Sequence, residues 1–132
     1  MESFKLLLSF STYFFTGIVM LMAFLIIYSR ITPYNEWCLI KANNEAAAIG
    51  FSGASIGYVT PLASAAINSV GLADYIIWGG VALVAQLIIF FAVFLAIPHL
   101  GQRIENNEKA AGIFLCAASI CGGILNAACM SY

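Results

Sequence analysis

The sequence predicts an all-α membrane protein, with four transmembrane helices arranged as two parallel two-helix repeats in a single integral membrane domain over residues 1–132. Three observations predict it. Charged side chains are scarce, 5 Lys+Arg and 6 Asp+Glu in 132 residues, or 8% where a soluble domain carries about 25%. They are placed so that residues 6–29, 46–73, 75–102 and 110–132 are free of Asp, Glu, Lys and Arg. Each run is long enough to cross hydrocarbon, which takes about 20 helical residues, whereas an open sheet would leave backbone groups unpaired in lipid. Finally, the block Asn43-Asn44-Glu45-Ala46-Ala47-Ala48 returns as Asn106-Asn107-Glu108-Lys109-Ala110-Ala111, and each copy opens a long apolar run.

The composition also excludes function classes. A net charge of -1 and a pI near 5.6 offer no basic surface for nucleic acid, and no loop is large enough to hold such a site. Of the four cysteines, Cys116, Cys121 and Cys129 fall in the last apolar run at spacings that match neither CxxC nor a zinc pair. They are expected to pack as small apolar residues, and no metal or cofactor is expected.

The first helix, about Leu6 to Tyr28, is bulky, with Gly, Ala or Ser at 4 of 23 positions, and suits acyl chains. Its apolar stretch exceeds the h-region of a signal peptide and lacks a small-x-small cleavage pattern, so it is expected to be retained. Pro33 limits its continuation. From Arg30 to Lys41, Tyr34 and Trp37 are headgroup-level residues between two cations, which predicts a short interfacial helix. Tyr34, Trp37, Lys41 and, in the matching later loop, Arg103 form a candidate partner-docking segment.

Asn43 or Asn44 should cap the second helix, with Glu45 in its first turn. From Ala46 to Asn68, Gly, Ala and Ser fill 13 of 23 positions. Gly50, Gly53, Gly57, Pro61, Ser64 and Asn68 share one helical stripe and contain a GxxxG, which lets backbones approach in lipid. Pro61 should free a carbonyl near Gly57 for a Ser or Thr hydroxyl.

A tight hairpin over residues 69–74 leads to a third, bulky helix, about Tyr75 to Ile97, with Asp74 as its expected N-cap. Gln86, near its midpoint, is a buried amide that needs a partner in lipid. Pro98-His99 ends that helix, and the loop through Lys109 repeats the pattern of proline, basic residue and Asn-Asn-Glu. The fourth helix, Ala110 to about Met130, carries the stripe Gly112, Cys116, Ser119, Gly123 and Asn126.

At an offset of 63, Asn43, Asn44, Glu45, Ala47, Ala48, Phe51, Ala54, Leu62 and Ala65 meet identical residues. A two-helix unit returns the chain to its starting side. The halves, about 6–68 and 75–130, must then run parallel, unlike an inverted transporter repeat. Arg30, Lys41, Arg103 and Lys109 all fall in loops 30–45 and 98–109, which are therefore expected to be cytoplasmic with both termini periplasmic.

Tyr13-Phe14-Phe15, Ile31-Thr32-Pro33-Tyr34-Asn35-Glu36-Trp37, Phe51-Ser52-Gly53, Ser64-Ala65-Ala66-Ile67-Asn68, Trp78-Gly79-Gly80 and Asn126-Ala127-Ala128-Cys129-Met130 together resemble the YjfL-type bacterial inner-membrane proteins across essentially the whole chain. The resemblance implies an inner-membrane location and tandem two-helix repeats, and it carries no catalytic residue. Its members often stand beside envelope-stress proteins of the phage-shock type and ATP-grasp ligases, which is association only; the candidate partner is a peripheral cytoplasmic envelope-stress protein.

The expected function is a non-enzymatic, homo-oligomerising envelope component that docks a cytoplasmic partner. The alternative is a small neutral-solute or ion channel or carrier in which Asn68, Gln86 and Asn126 face a shared cavity, although no ionisable group lies within a span. An enzyme is the weakest reading. His99 has no predicted carboxylate or serine partner, and only Lys41 is near enough to activate Cys38.

Overall fold

A computed structural model describes residues 2–32 and 34–129. Pro33, expected to end the first helix, and Met130, expected near the end of the last, lie outside the described residues. Among the described residues six helices follow in order: α1 Glu2–Ile31, α2 Glu36–Lys41, α3 Glu45–Asn68, α4 Leu72–Ala96, α5 Leu100–Glu105 and α6 Lys109–Cys129. Four of them, α1, α3, α4 and α6, are long and apolar enough to span a membrane.

The arrangement follows from side-chain size. α3 is the most buried of the four and α1 the least, because small residues admit neighbours on several sides while the bulky α1 surface stands apart. At 30 residues α1 extends about 45 Å, well beyond the hydrocarbon thickness. It joins the bundle through its C-terminal half. Phe24 stacks on Tyr58 of α3 with ring centroids 4.5 Å apart, and Tyr28 meets Phe90 of α4 edge-on at 5.2 Å. Nearer its start, Gly17 makes room for the Tyr75 hydroxyl, which would lie 2.6 Å from any Cβ there.

α3 and α6 form the tightest pair and run in the same direction. Gly112 lies on Ala46, Gly53 on Cys116, Gly57 on Ser119 and Gly123, and the Ser64 hydroxyl donates to the Ala127 carbonyl at 3.3 Å. A Cβ added at Gly57, Gly112 or Gly123 would strike backbone atoms of the facing helix.

Three expectations need correction. Asp74 is not an N-cap: α4 begins earlier, after Gly71, and Asp74 sits in its first turn, where it accepts the Val70 N–H at 3.2 Å. The 98–109 loop contains a second short helix, α5, which its glycine and charges disguised. The third is register. The backbone bonds from Asn43 N–H to the Ile40 carbonyl and from Asn44 N–H to the Leu39 carbonyl recur from Asn107 to Ile104 and from Glu108 to Arg103. That spacing is 64 residues, so the local counterpart of Asn44 is Glu108 and that of Asn43 is Asn107, one residue away from the alignment of the Asn-Asn-Glu blocks. Asn43 and Asn107 accordingly share a left-handed backbone, with φ of 66° and 59°. Asparagine tolerates that conformation better than most residues.

Candidate functional site

Three polar clusters are built into the bundle, and each can be followed from its residues upward. The first ties the two turns together. Asn44, buried, caps α3 by accepting the Ala47 N–H at 2.9 Å, and its amide donates to the carbonyls of Ile104 at 2.9 Å and Glu105 at 3.3 Å. Those carbonyls end α5, and that of Ile104 also accepts the Asn107 N–H in the turn. Asn107 reaches the other way, accepting the Ala46 N–H at 3.0 Å. Both asparagines thus serve the start of α3. The exposed pair of Lys109 and Glu45, 3.1 Å apart, adds little to this.

The second cluster lies in the middle of the bundle. Gln86 of α4 is 2% exposed, and its amide donates to the Gly57 carbonyl at 3.0 Å and to the Ser119 carbonyl at 3.4 Å. Pro61 has no N–H, so the Gly57 carbonyl loses its ordinary i+4 donor. The expected donor to that carbonyl is a Ser or Thr hydroxyl. Gln86 takes it instead, because the nearby hydroxyls of Ser55 and Thr60 return to carbonyls of their own helix, Phe51 and Ile56.

The third cluster was not foreseen. Glu36, the first residue of α2, is 1% exposed although it lies in a connecting segment. Its Oε1 sits 2.6 Å from the Thr32 hydroxyl, and its Oε2 is buried without a hydrogen-bond partner among the described residues. Burial pushes the carboxyl up to about 7, while the Thr32 hydrogen bond pulls the other way. Tyr34 is buried beside it, and burial followed by the Glu36 charge pushes its phenol up. An open groove of about 470 Å³ passes this corner, lined by Ile26, Ser29, Arg30, Thr32, Tyr34, Asn35 and Trp37. The signal that could have found Glu36 is its spacing: Thr32 four residues earlier, and aromatic residues at 34 and 37.

The remaining predicted residues divide as follows. Gly50, Gly53, Gly57, Gly112, Cys116, Ser119 and Gly123 meet across α3 and α6, with Gly50 facing Leu115. Pro61 is buried, Ser64 and Asn126 are half-buried, and Asn68 is exposed, its amide turned back to Ser64. Asn68 and Gln86 therefore do not share one surface, and the Asn126 amide nitrogen is buried without a hydrogen-bond partner among the described residues. Asn68 sits exposed at the end of α3, while Gln86 is spent in mid-bundle. Of the docking segment, Trp37, Lys41 and Arg103 are exposed. Tyr34 is not: packing against the end of α1 leaves it 6% exposed and removes it from any docking surface. Cys38 and His99 are exposed, and His99 adopts a left-handed backbone with φ 58° ahead of α5.

Comparison with known proteins adds a family. Residues 2–130 match the family described as Domain of Unknown Function (DUF350). The chain is 56% identical over 126 residues to the UPF0719 inner membrane protein YjfL of Escherichia coli strain K12, covering 96% of each chain. It is 26% identical over 116 residues to the UPF0719 transmembrane protein YshE of Bacillus subtilis strain 168, covering 86% of this chain and 87% of that one. No solved structure matches.

Proposed function

This chain belongs to the family described as Domain of Unknown Function (DUF350), and as a multi-pass membrane protein of that family we propose that it is a non-enzymatic scaffold of the bacterial inner membrane. The observation that carries the reading is the fate of Gln86. An amide lining a pathway must face water or solute, whereas this one is spent on two backbone carbonyls between glycine-lined helices. Polar groups satisfied in this way fix how helices pack, at about 0.6 to 2 kcal/mol each in a membrane.

In the same reading the chain arose by duplication of a two-helix unit, and the repeated hydrogen bonds of the two turns support that. In this reading both turns lie in the cytoplasm and the termini in the periplasm, which the basic residues of the two turns support. There the exposed Trp37, Lys41 and Arg103 dock a peripheral envelope protein. Association between copies uses α1, whose large apolar residues are exposed along its length, because the seam glycines are consumed within the chain.

The test is affinity purification from native membranes with Trp37→Ala, Lys41→Ala and Arg103→Ala combined. The reading expects a defined peripheral protein to co-purify with the unaltered chain and to be lost with the triple variant. Solute flux through proteoliposomes that disappears on Gln86→Leu would replace the scaffold by a transporter.

A further inference from the structure

Glu36 has no role in the packing described so far. It opens α2 in a connecting segment, and the residue that opens α5 in the second turn is Leu100, 0% exposed against 1% for Glu36. The same place in the same kind of turn is filled by a hydrocarbon side chain. A carboxyl there is an addition to the fold rather than a requirement of it.

Its surroundings count protons. The Thr32 hydroxyl lies 2.6 Å from Glu36 Oε1, 3.1 Å from the Ser29 carbonyl and 3.2 Å from the Tyr34 carbonyl. Residue 33 is proline, so the Ser29 carbonyl has no i+4 N–H and depends on that hydroxyl. One hydroxyl proton faces three acceptors. With Glu36 ionised, the proton is drawn to the carboxylate, both carbonyls face lone pairs, and a buried charge is left with a bare Oε2. With Glu36 protonated, the acid donates to the Thr32 oxygen, and the Thr32 proton goes to a carbonyl. The acid form supplies two protons to this group of oxygens where the ionised form supplies one, so it leaves one carbonyl opposed instead of two and no buried charge.

The groups facing Glu36 are the hydroxyls of Thr32, Tyr28 and Tyr34, and behind Tyr28 the rings of Phe51 from α3 and Phe90 from α4. The cations of the two turns, Arg30, Lys41 and Arg103, form no ion pair with it among the described residues, and neither does His99.

We propose that Glu36 is a proton-binding site outside the four spans, whose acid form latches α2 onto the end of α1 and whose ionisation releases that latch. The raised carboxyl, at about 7, puts the change near neutral pH. Trp37 follows Glu36 directly and packs edge-on against Phe51 of α3 at 5.1 Å, so its indole reports the latch.

The experiment uses the full chain in lipid nanodiscs with Trp78→Phe, leaving Trp37 as the lone tryptophan, titrated between about pH 5 and 9. Isotope-edited infrared spectra of labelled glutamate and Trp37 emission are recorded together, in choline and again in sodium. Exposed carboxylates ionise near pH 4, so a protonated-carboxyl band surviving at about pH 6 belongs to a shifted group. The expected result is such a band, lost with a midpoint near 7 alongside a Trp37 shift, and both changes absent in Glu36→Gln. No protonated band at about pH 6, or the same band in Glu36→Gln, overturns the proposal. If Glu36→Gln does not fold, Glu36→Leu, which copies the second turn, takes its place. A band present in choline and absent in sodium would show a metal cation as the occupant, and overturns it too.

Discussion

The turns containing α2 and α5 share the hydrogen bonds of their helix exits and differ at their entries, where Asn35 is extended and His99 left-handed. Each is a six-residue helix followed by a left-handed asparagine, with matching hydrogen bonds 64 residues apart. The first carries an acid at its buried opening position, a side-chain cap from Asn35, and a second cap from Asn44. The second has leucine at that position, no side-chain cap on α5, and Glu108 where Asn44 would stand. The exit geometry is shared, while the buried acid and the N-cap side-chain bonds belong to the first turn alone.

Exchanging the buried openings breaks this comparison most severely. Leu100→Glu places a carboxyl where no equivalent of Thr32 is on hand, and it should cost about 3 to 5 kcal/mol at pH 8, read as the unfolding midpoint in a mild-to-denaturing detergent series. The reciprocal Glu36→Leu should leave a chain whose stability no longer depends on pH near neutrality. For Glu36 itself, the carboxyl is protonated in folded and unfolded chains alike below about pH 4.5 and costs nothing. Between 4.5 and about 7 the folded chain binds the extra proton, so stability falls as pH rises; above 7 the whole penalty, about 3 kcal/mol, is present. Glu36→Leu should therefore be more stable than the unaltered protein at pH 8, and the two curves should converge as pH falls.

Smaller effects sharpen the comparison. Asn44→Ala removes a cap and the donor to two carbonyls, and should cost about 1 to 2 kcal/mol; Asn107→Gly, which suits the left-handed backbone there, removes one capping acceptor and should cost about 1 kcal/mol or less. Equal losses in the same detergent series would mean that the two turns divide the work evenly, against the account. Smallest of all, Lys109→Ala, which breaks an exposed ion pair, should change stability by less than about 0.5 kcal/mol.

Much of the bundle was legible because it depends on local rules. Charge-free length located the spans, small-residue spacing located the helix faces that meet, and Asn44 was a cap by type and position. What escaped depends on tertiary packing. Glu36 looked like an ordinary loop charge, because nothing in the sequence says that the aromatic end of α1 covers it. Tyr34 was assigned to a surface for the same reason, since tyrosine suits both a headgroup layer and a crowded corner. The partner of Gln86 was out of reach because that bond spans 29 residues and requires knowing which side of α4 faces Pro61. The spacing of the two turns was not legible, because the identical Asn-Asn-Glu letters align at 63 while the backbone bonds of the turns recur at 64.

The central claim is that the small-residue faces of α3 and α6 are closed against each other, side by side and pointing the same way, within one chain. Disulfide trapping in native membranes tests it most directly, using Ser64→Cys with Ala127→Cys after the four natural cysteines are replaced by alanine or serine. The account predicts rapid oxidation to a cross-linked species of monomer size. A product of dimer size, or none while either position pairs readily with the opposite end of the partner helix, would contradict it.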